Sequence, residues 1–170
     1  MALLHMQKTL QGYPPQPGLS CFTLSEVFVE TVADAAALGF ALARLPRGQR
    51  PVLWVQDRVS RKESGYPCIA GIGPLRPIIM VNVTRAADVL WTMEDGLRCR
   101  SLGGVIGEIW GDPAVLDFTA TKRLALRSEA AGVPCWLIRR LAHPNLSAAR
   151  DRWRIGARPS APQPHDSQSP

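Results

Sequence analysis

No Gly-x-x-x-x-Gly-Lys-Ser/Thr segment occurs anywhere in the 170 residues of the chain. That motif supplies the inward-pointing backbone N–H groups and the lysine that grip nucleotide phosphates. Without it, ATP hydrolysis by the usual route is not expected. Histidine is scarce as well. The three present, His5, His143 and His165, are too far apart to share a helix face. Cys21, Cys68, Cys99 and Cys135 include no Cys-x-x-Cys pair. A zinc site is therefore not expected, and neither is any cofactor. Nothing at the start of the chain resembles a secretory signal, so the thiols are expected to be reduced and to fill small core gaps. No apolar run approaches the length of about 20 residues that a membrane-spanning helix needs. The expectation is a soluble cytoplasmic protein with no membrane partner.

The remaining composition is that of a globular domain, with 46% hydrophobic and 20% charged residues,. A chain of this length holds one proper core. Its net charge of +6 and pI near 9.7 suit an acidic partner such as nucleic acid, and suit a plain basic surface equally well. Residues 1–20 read as a flexible N-terminal segment, with a Gly/Pro-rich tether at 12–18,. Residues 21–155 read as the folded domain. Residues 156–170, rich in Pro, Ser and Gln, read as a disordered tail.

Inside the domain, short β-branched runs fall at residues 27–29, 52–55, 78–83, 105–109 and 135–138. Most are continuously apolar, as strands covered on both faces must be. Helical patterns lie between them. Leu38, Leu42 and Leu45 form one stripe, and Ala86, Val89, Leu90, Met93 and Leu97 form another, with Thr84 placed to cap it,. Glu94 and Arg98 are spaced to pair on that helix's solvent side. A third helix is predicted from Asp117 or Thr119 to Ala131, ending at Gly132 before Pro134,. Alternation of this kind predicts an α/β fold, a mostly parallel sheet with helices on both faces. The final basic run, 152–155, alternates like an edge strand.

Ligands of open α/β sheets lie beyond the carboxyl ends of the strands, and four places map there. The first strand-to-helix joint, Thr31-Val32-Ala33-Asp34, has no glycine or lysine, and Asp34 already supplies negative charge to the helix N-terminus. Gln56-Asp57-Arg58 follows the second run and reads foremost as a solvated strand end. Glu108 is an acid inside an apolar run. It suits either a metal-associated carboxylate or a buried acid paired with an arginine. Gly111-Asp112-Pro113 is explained by turn chemistry. No Ser-His-Asp or Cys-His arrangement can be argued, so no catalytic residue is assigned. Basic residues are denser toward the end: Lys122, Arg123, Arg127, Arg139, Arg140, Arg150, Arg152, Arg154 and Arg158, with Trp136 and Trp153 among them. Arginines beside accessible aromatics suit a protein interface or single-stranded nucleic acid. Trp136 reads as core and Trp153 as the exposed anchor. Arg139, Arg140, Arg150, Arg152, Trp153 and Arg154 are thus the candidate contact for a partner or DNA.

From Ser25 to Ile155 the chain resembles the ImuA family, RecA/SulA-like proteins of bacterial damage-induced mutagenesis cassettes. The likeness is carried by Leu24-Ser25-Glu26-Val27, "ADAAALGFALARL", "PVLWVQ", "RAADVLWTMEDGLRCRSLGGVIGEIWGDPAVLDFTATKRLAL", "SEAAGVPCWLIR" and "SAARDRWRI". It implies a RecA-like core. Asp57 would then stand where RecA-like ATPases keep a catalytic acid, and Glu108 where they keep the metal-associated acid, as remnants of a nucleotide site. The resemblance also implies an accessory role in translesion DNA synthesis under the SOS response. Partners would be ImuB, through it an error-prone DnaE-type polymerase, and RecA or DNA as further candidates. A non-catalytic adaptor is the leading expectation, since a fold's surfaces outlast its chemistry. A degenerate ATPase and a basic DNA-binding module are the alternatives.

Overall fold

The computed structural model describes residues 22–29, 31, 34–66 and 76–158, with backbone alone at 3–8 and 158. The strands are β1 (Leu3–Lys8), β2 (Leu24–Val29), β3 (Val52–Gln56), β4 (Ile78–Asn82), β5 (Gly104–Trp110), β6 (Cys135–Arg140) and β7 (Asp151–Arg158). They form one seven-stranded sheet in the order β1-β7-β2-β6-β5-β3-β4. All neighbours from β7 to β4 pair in parallel, and β1 joins β7 antiparallel. The continuously apolar runs follow from this topology, because the central strands are covered on both faces.

Four helices, α1 (Ala36–Arg44), α2 (Arg58–Ser64), α3 (Ala86–Gly96) and α4 (Phe118–Ala131), lie among the described residues. On one face, Val89, Leu90 and Met93 of α3 and Leu124 of α4 pack with Val55, Val105, Ile109 and Leu137. On the other, Ala37, Leu38, Phe40 and Ala41 of α1 pack with Val27, Trp54, Ile106, Trp136 and Ile138. Each such large side chain contributes about 1.5–3 kcal/mol by leaving water. Gly107 lets α3 approach β5: a Cβ there would lie 2.0 Å from Met93 Sδ.

The third predicted helix is observed with its caps. Asp117 Oδ1 accepts from Ala120 N–H at 2.7 Å, and Gly132 closes α4 in the left-handed region at φ 67°,. Other details differ. Arg85, not Thr84, is the N-cap of α3; it makes no capping bond there and pairs with Asp88 at 2.8 Å. Glu94 does not pair with Arg98, because it faces α4 and takes Arg123 and Arg127 at 2.8 and 3.1 Å. Arg98 pairs with Asp95 instead. Residues 152–155 are not an edge strand. Leu3–Lys8, assigned above to the flexible segment, pair with β7 and cover the backbone groups it would otherwise leave open. β7 also runs to Arg158, past the expected boundary at 155. The 12–18 tether, Cys21, Cys68 and the tail from 159 lie outside the described residues.

Candidate functional site at the strand ends

Successive residues of a strand point to opposite faces, so Arg139 and Arg140 at the end of β6 leave the sheet in opposite directions. Both are buried, at 1% and 4% exposure. A buried guanidinium is tolerated only when a carboxylate meets it. β6 lies between β2 and β5, and each neighbour supplies one fully buried glutamate.

On the α1 face, Arg140 Nε donates to Glu108. Gln56 Nε2 and Ser64 Oγ donate to the same carboxylate at 2.9 and 3.2 Å. Arg140 Nη1 also reaches the Asp34 carbonyl at 3.1 Å, tying the β2–α1 joint to the centre of the sheet. On the other face, Arg139 Nη1 meets Glu26 at 3.4 Å and Nη2 meets Asp112 at 2.6 Å. Arg152 Nε meets the second Glu26 oxygen at 2.9 Å. Both guanidinium groups of this face lie over the Phe28 ring, 5.5 and 5.2 Å from its centroid,.

The two acids expected as remnants of a nucleotide site are thus placed at the carboxyl end, and both are engaged. Asp57 caps α2 by accepting from Ser60 N–H at 2.6 Å, and its other oxygen accepts from Trp110 N–H at 2.9 Å. It is buried rather than a solvated strand end. Glu108 is the buried, arginine-paired carboxylate described above. Asp34 closes the third position: Oδ1 accepts from Ala36 N–H at the start of α1 at 2.7 Å, and Oδ2 accepts from Ala157 N–H at 2.6 Å. The helix end that would attract a phosphate already holds a carboxylate from its own chain. Val32 and Ala33 of that joint lie outside the described residues.

Asp112 does more than make a turn. It takes Arg139, the His143 backbone N–H at 3.0 Å and His143 Nδ1 at 3.0 Å. Burial opposes its ionisation, but the bonds from His143 and the charges of Arg139 and His143 outweigh it and hold the carboxyl below its usual range,.

The expected contact surface is mostly interior. Trp153 is not an exposed anchor: it is 8% exposed because its side of β7 faces α1, where it packs against Phe40 with Arg44 above it at 4.9 Å. Trp136 is core, as expected. Arg139 and Arg140 are sealed inside, Arg152 is bound to Glu26, and Arg150 pairs with Glu129 at 2.8 Å. Of that set Arg150 and Arg154 are exposed. Cys135 is buried, which raises its thiol pKa, but Cys99 is exposed and hydrogen-bonds Ser101 rather than filling a core gap. Among the described residues no group of three His, Cys, Asp or Glu could hold a metal, and no helix is long and apolar enough to cross a membrane.

A feature that sequence reasoning missed lies at the other end of the sheet. A cavity of about 380 Å³ is lined by Phe22, Arg47, Arg50, Arg76 and Gly103, among others. The signal was the arginine-rich lead into two strands, Arg47-Gly48-Gln49-Arg50-Pro51 and Arg76-Pro77. No family model matches the chain, and neither a curated protein nor a solved structure is found to match it.

Proposed function

We propose that the chain is a non-catalytic adaptor on a RecA-like α/β frame, with the role that its resemblance to the ImuA family implies. It would serve damage-induced translesion synthesis by holding ImuB and, through it, an error-prone DnaE-type polymerase. One observation carries the non-catalytic part. The acids that nucleotide chemistry would draw on are spent on the protein itself, Glu108 on Arg140, Gln56 and Ser64, and Asp57 on two backbone N–H groups. A carboxylate in that state is not free for a metal ion or a water molecule. The frame keeps its surfaces without the chemistry.

The partner contact then falls on side chains that remain outside. Trp91 on α3 is 74% exposed and takes the anchor role that Trp153 cannot. It stands at a shallow surface with Arg98 and Arg127, a combination that suits a protein interface. Co-elution of the purified chain with ImuB on a sizing column at low and high salt tests this reading. The expected result is a complex that survives high salt and is lost in Trp91→Ala. Absence of a complex at either salt overturns the adaptor, and saturable Mg²⁺-ATP binding lost in Glu108→Gln would restore the ATPase reading.

A further inference from the structure

Helix α3 buries Val89, Leu90 and Met93 against the sheet, so the opposite side of the helix meets solvent. Trp91 stands on that side. Trp54, Trp136 and Trp153 are buried and Trp110 is half-buried, which leaves Trp91 as the exposed indole. Arg98, two turns on, follows the same side, about 10 Å along the axis at 1.5 Å a residue. Helix α4 lies alongside, joined through Glu94, which accepts from Arg123 Nε at 2.9 Å and Arg127 Nε at 3.1 Å. Two shallow hollows open on the seam. One, of about 370 Å³, is lined by Trp91, Glu94, Asp95, Arg98 and Arg127. The other, of about 280 Å³, is lined by Leu97, Arg98, Arg100, Arg127, Ala130 and Ala131. Arg98 and Arg127 border both, so one continuous surface runs from the indole to the ends of the two helices.

The seam holds more guanidinium groups than carboxylates. Arg123 and Arg127 share the one Glu94, Arg98 meets Asp95, and Arg100 adds a further exposed cation. Glu94 is buried between the helices, so its charge is turned inward and answered twice. The arginines keep donors for a partner. Arg98 meets Asp95 through Nη1 at 3.3 Å, and Arg127 meets Glu94 through Nε at 3.1 Å, whereas a guanidinium carries five N–H groups in a fork that matches a carboxylate. The surface is thus apolar at the Trp91 end and positive toward Arg100.

That layout decides between partners. A nucleic acid brings a phosphate at every nucleotide, and Glu94 and Asp95 in the same lining oppose so dense a row of negative charge. A peptide with spaced carboxylates meets the arginines and clears the two acids. An aromatic anchor beside a charged rim is also the composition of a protein interface. We propose that the seam between α3 and α4 holds an acidic peptide segment, with an apolar side chain packed on Trp91 and carboxylates on Arg98, Arg127 and Arg100. Three residues of extended chain, at about 3.3 Å each, cover the distance from anchor to first carboxylate. The assignment rests on the adaptor reading and names the chemistry of the segment that the adaptor holds.

The test is a titration of the full chain with a short labelled peptide, a leucine–phenylalanine pair followed by a run of glutamates. Trp91 is its own reporter: its emission should move to the blue as the indole leaves water, and the shift should vanish in Trp91→Ala. By anisotropy of the label, Trp91→Ala should weaken binding by about thirtyfold, the scale of an anchor tryptophan. Arg98→Ala/Arg100→Ala should weaken it by about threefold to tenfold, as rim charges do. The glutamine form of the peptide should lose as much. Arg58→Ala/Lys62→Ala removes the same charge from α2 and should leave the affinity unchanged. High salt should weaken binding without abolishing it, since screening acts on the charges and not on the anchor. Arg98→Glu/Arg100→Glu should reject the acidic peptide and take its lysine form, a gain that misfolding cannot produce. Equal affinity for the glutamate and glutamine forms, a blue shift with oligothymidylate in place of the peptide, or no binding of the peptide would overturn the proposal. Co-elution with ImuB separates the two readings. A chain that binds the peptide and gives no ImuB complex keeps this site and loses the adaptor role. An ImuB complex untouched by Arg98→Glu/Arg100→Glu keeps the adaptor and removes this site.

Discussion

The two ends of the sheet use arginine in opposite ways. At the carboxyl end Arg139 and Arg140 are buried and Arg152 half-buried, and all three are answered: Arg140 by Glu108, Arg139 by Glu26 and Asp112, Arg152 by Glu26. At the amino end Arg47, Arg50 and Arg76 line an open cavity with no acid among its described lining residues. Ligand sites of such sheets ordinarily lie beyond the carboxyl ends. Here that end is closed by its own charges, and the unanswered charge stands at the other. Paired charge fixes structure, and unpaired charge at the rim of a cavity is available to a ligand.

Breaking a carboxyl-end pair gives the largest expected effect. Arg140→Ala leaves Glu108 buried without its cation, and Glu108→Ala does the converse. Each should cost about 3–5 kcal/mol in denaturant unfolding. Replacing both by apolar residues of similar volume, Glu108→Leu with Arg140→Met, should recover most of that loss, because a buried pair adds little over good packing. A double variant as unstable as the singles would mean that Gln56 and Ser64, left without their acceptor, set the cost instead. Asp34→Ala is smaller. It removes acceptors from Ala36 and Ala157 N–H, and the loss of such a cap costs about 0.5–2 kcal/mol. It should also open the start of α1 to anions, read as stabilisation by added phosphate that the parent lacks at that end.

Most of the architecture was legible because local signals and burial agree. The apolar runs became the central strands, and Asp117 and Gly132 bounded α4 as caps do. The site was less legible, since burial of a charge depends on which strands become neighbours. Nothing between Glu26 and Arg139 in the sequence says that β6 will lie beside β2. The same gap misplaced Trp153, whose alternating strand reads the same whether one face meets solvent or α1. β1 was missed because its partner, β7, lies at the far end of the chain. Asp112 looked like turn chemistry alone, as the guanidinium it binds comes from another strand.

Asp112 gives a third, smaller contrast, visible in acid. Its folded pKa is held below the ordinary value of 3.8, so the folded state binds fewer protons there than the unfolded chain. Its contribution is complete above that ordinary value and is lost as pH falls through the lower folded one. Asp112→Asn should therefore make stability less steeply dependent on pH below about 4, with the largest difference from the parent near neutral pH. Parallel unfolding series at neutral and acid pH check this. Identical slopes for parent and variant would mean that Arg139 is satisfied by Glu26 alone.

The smallest effect is expected where the charges are unpaired. Removing Arg47, Arg50 and Arg76 together breaks no ion pair among the described residues, so each should change stability by no more than about 0.5 kcal/mol. The sign should be neutral or slightly favourable, because mutual repulsion is relieved. Added inorganic phosphate turns this near-zero into a measurement. The anion should raise the parent's melting temperature in proportion to its occupancy of the cavity and leave the triple variant where it was. Equal shifts in both would return the phosphate effect to the rest of the basic surface. A large loss of stability in the variant without phosphate would show the amino-end arginines to be structural, and would erase the distinction between the two ends.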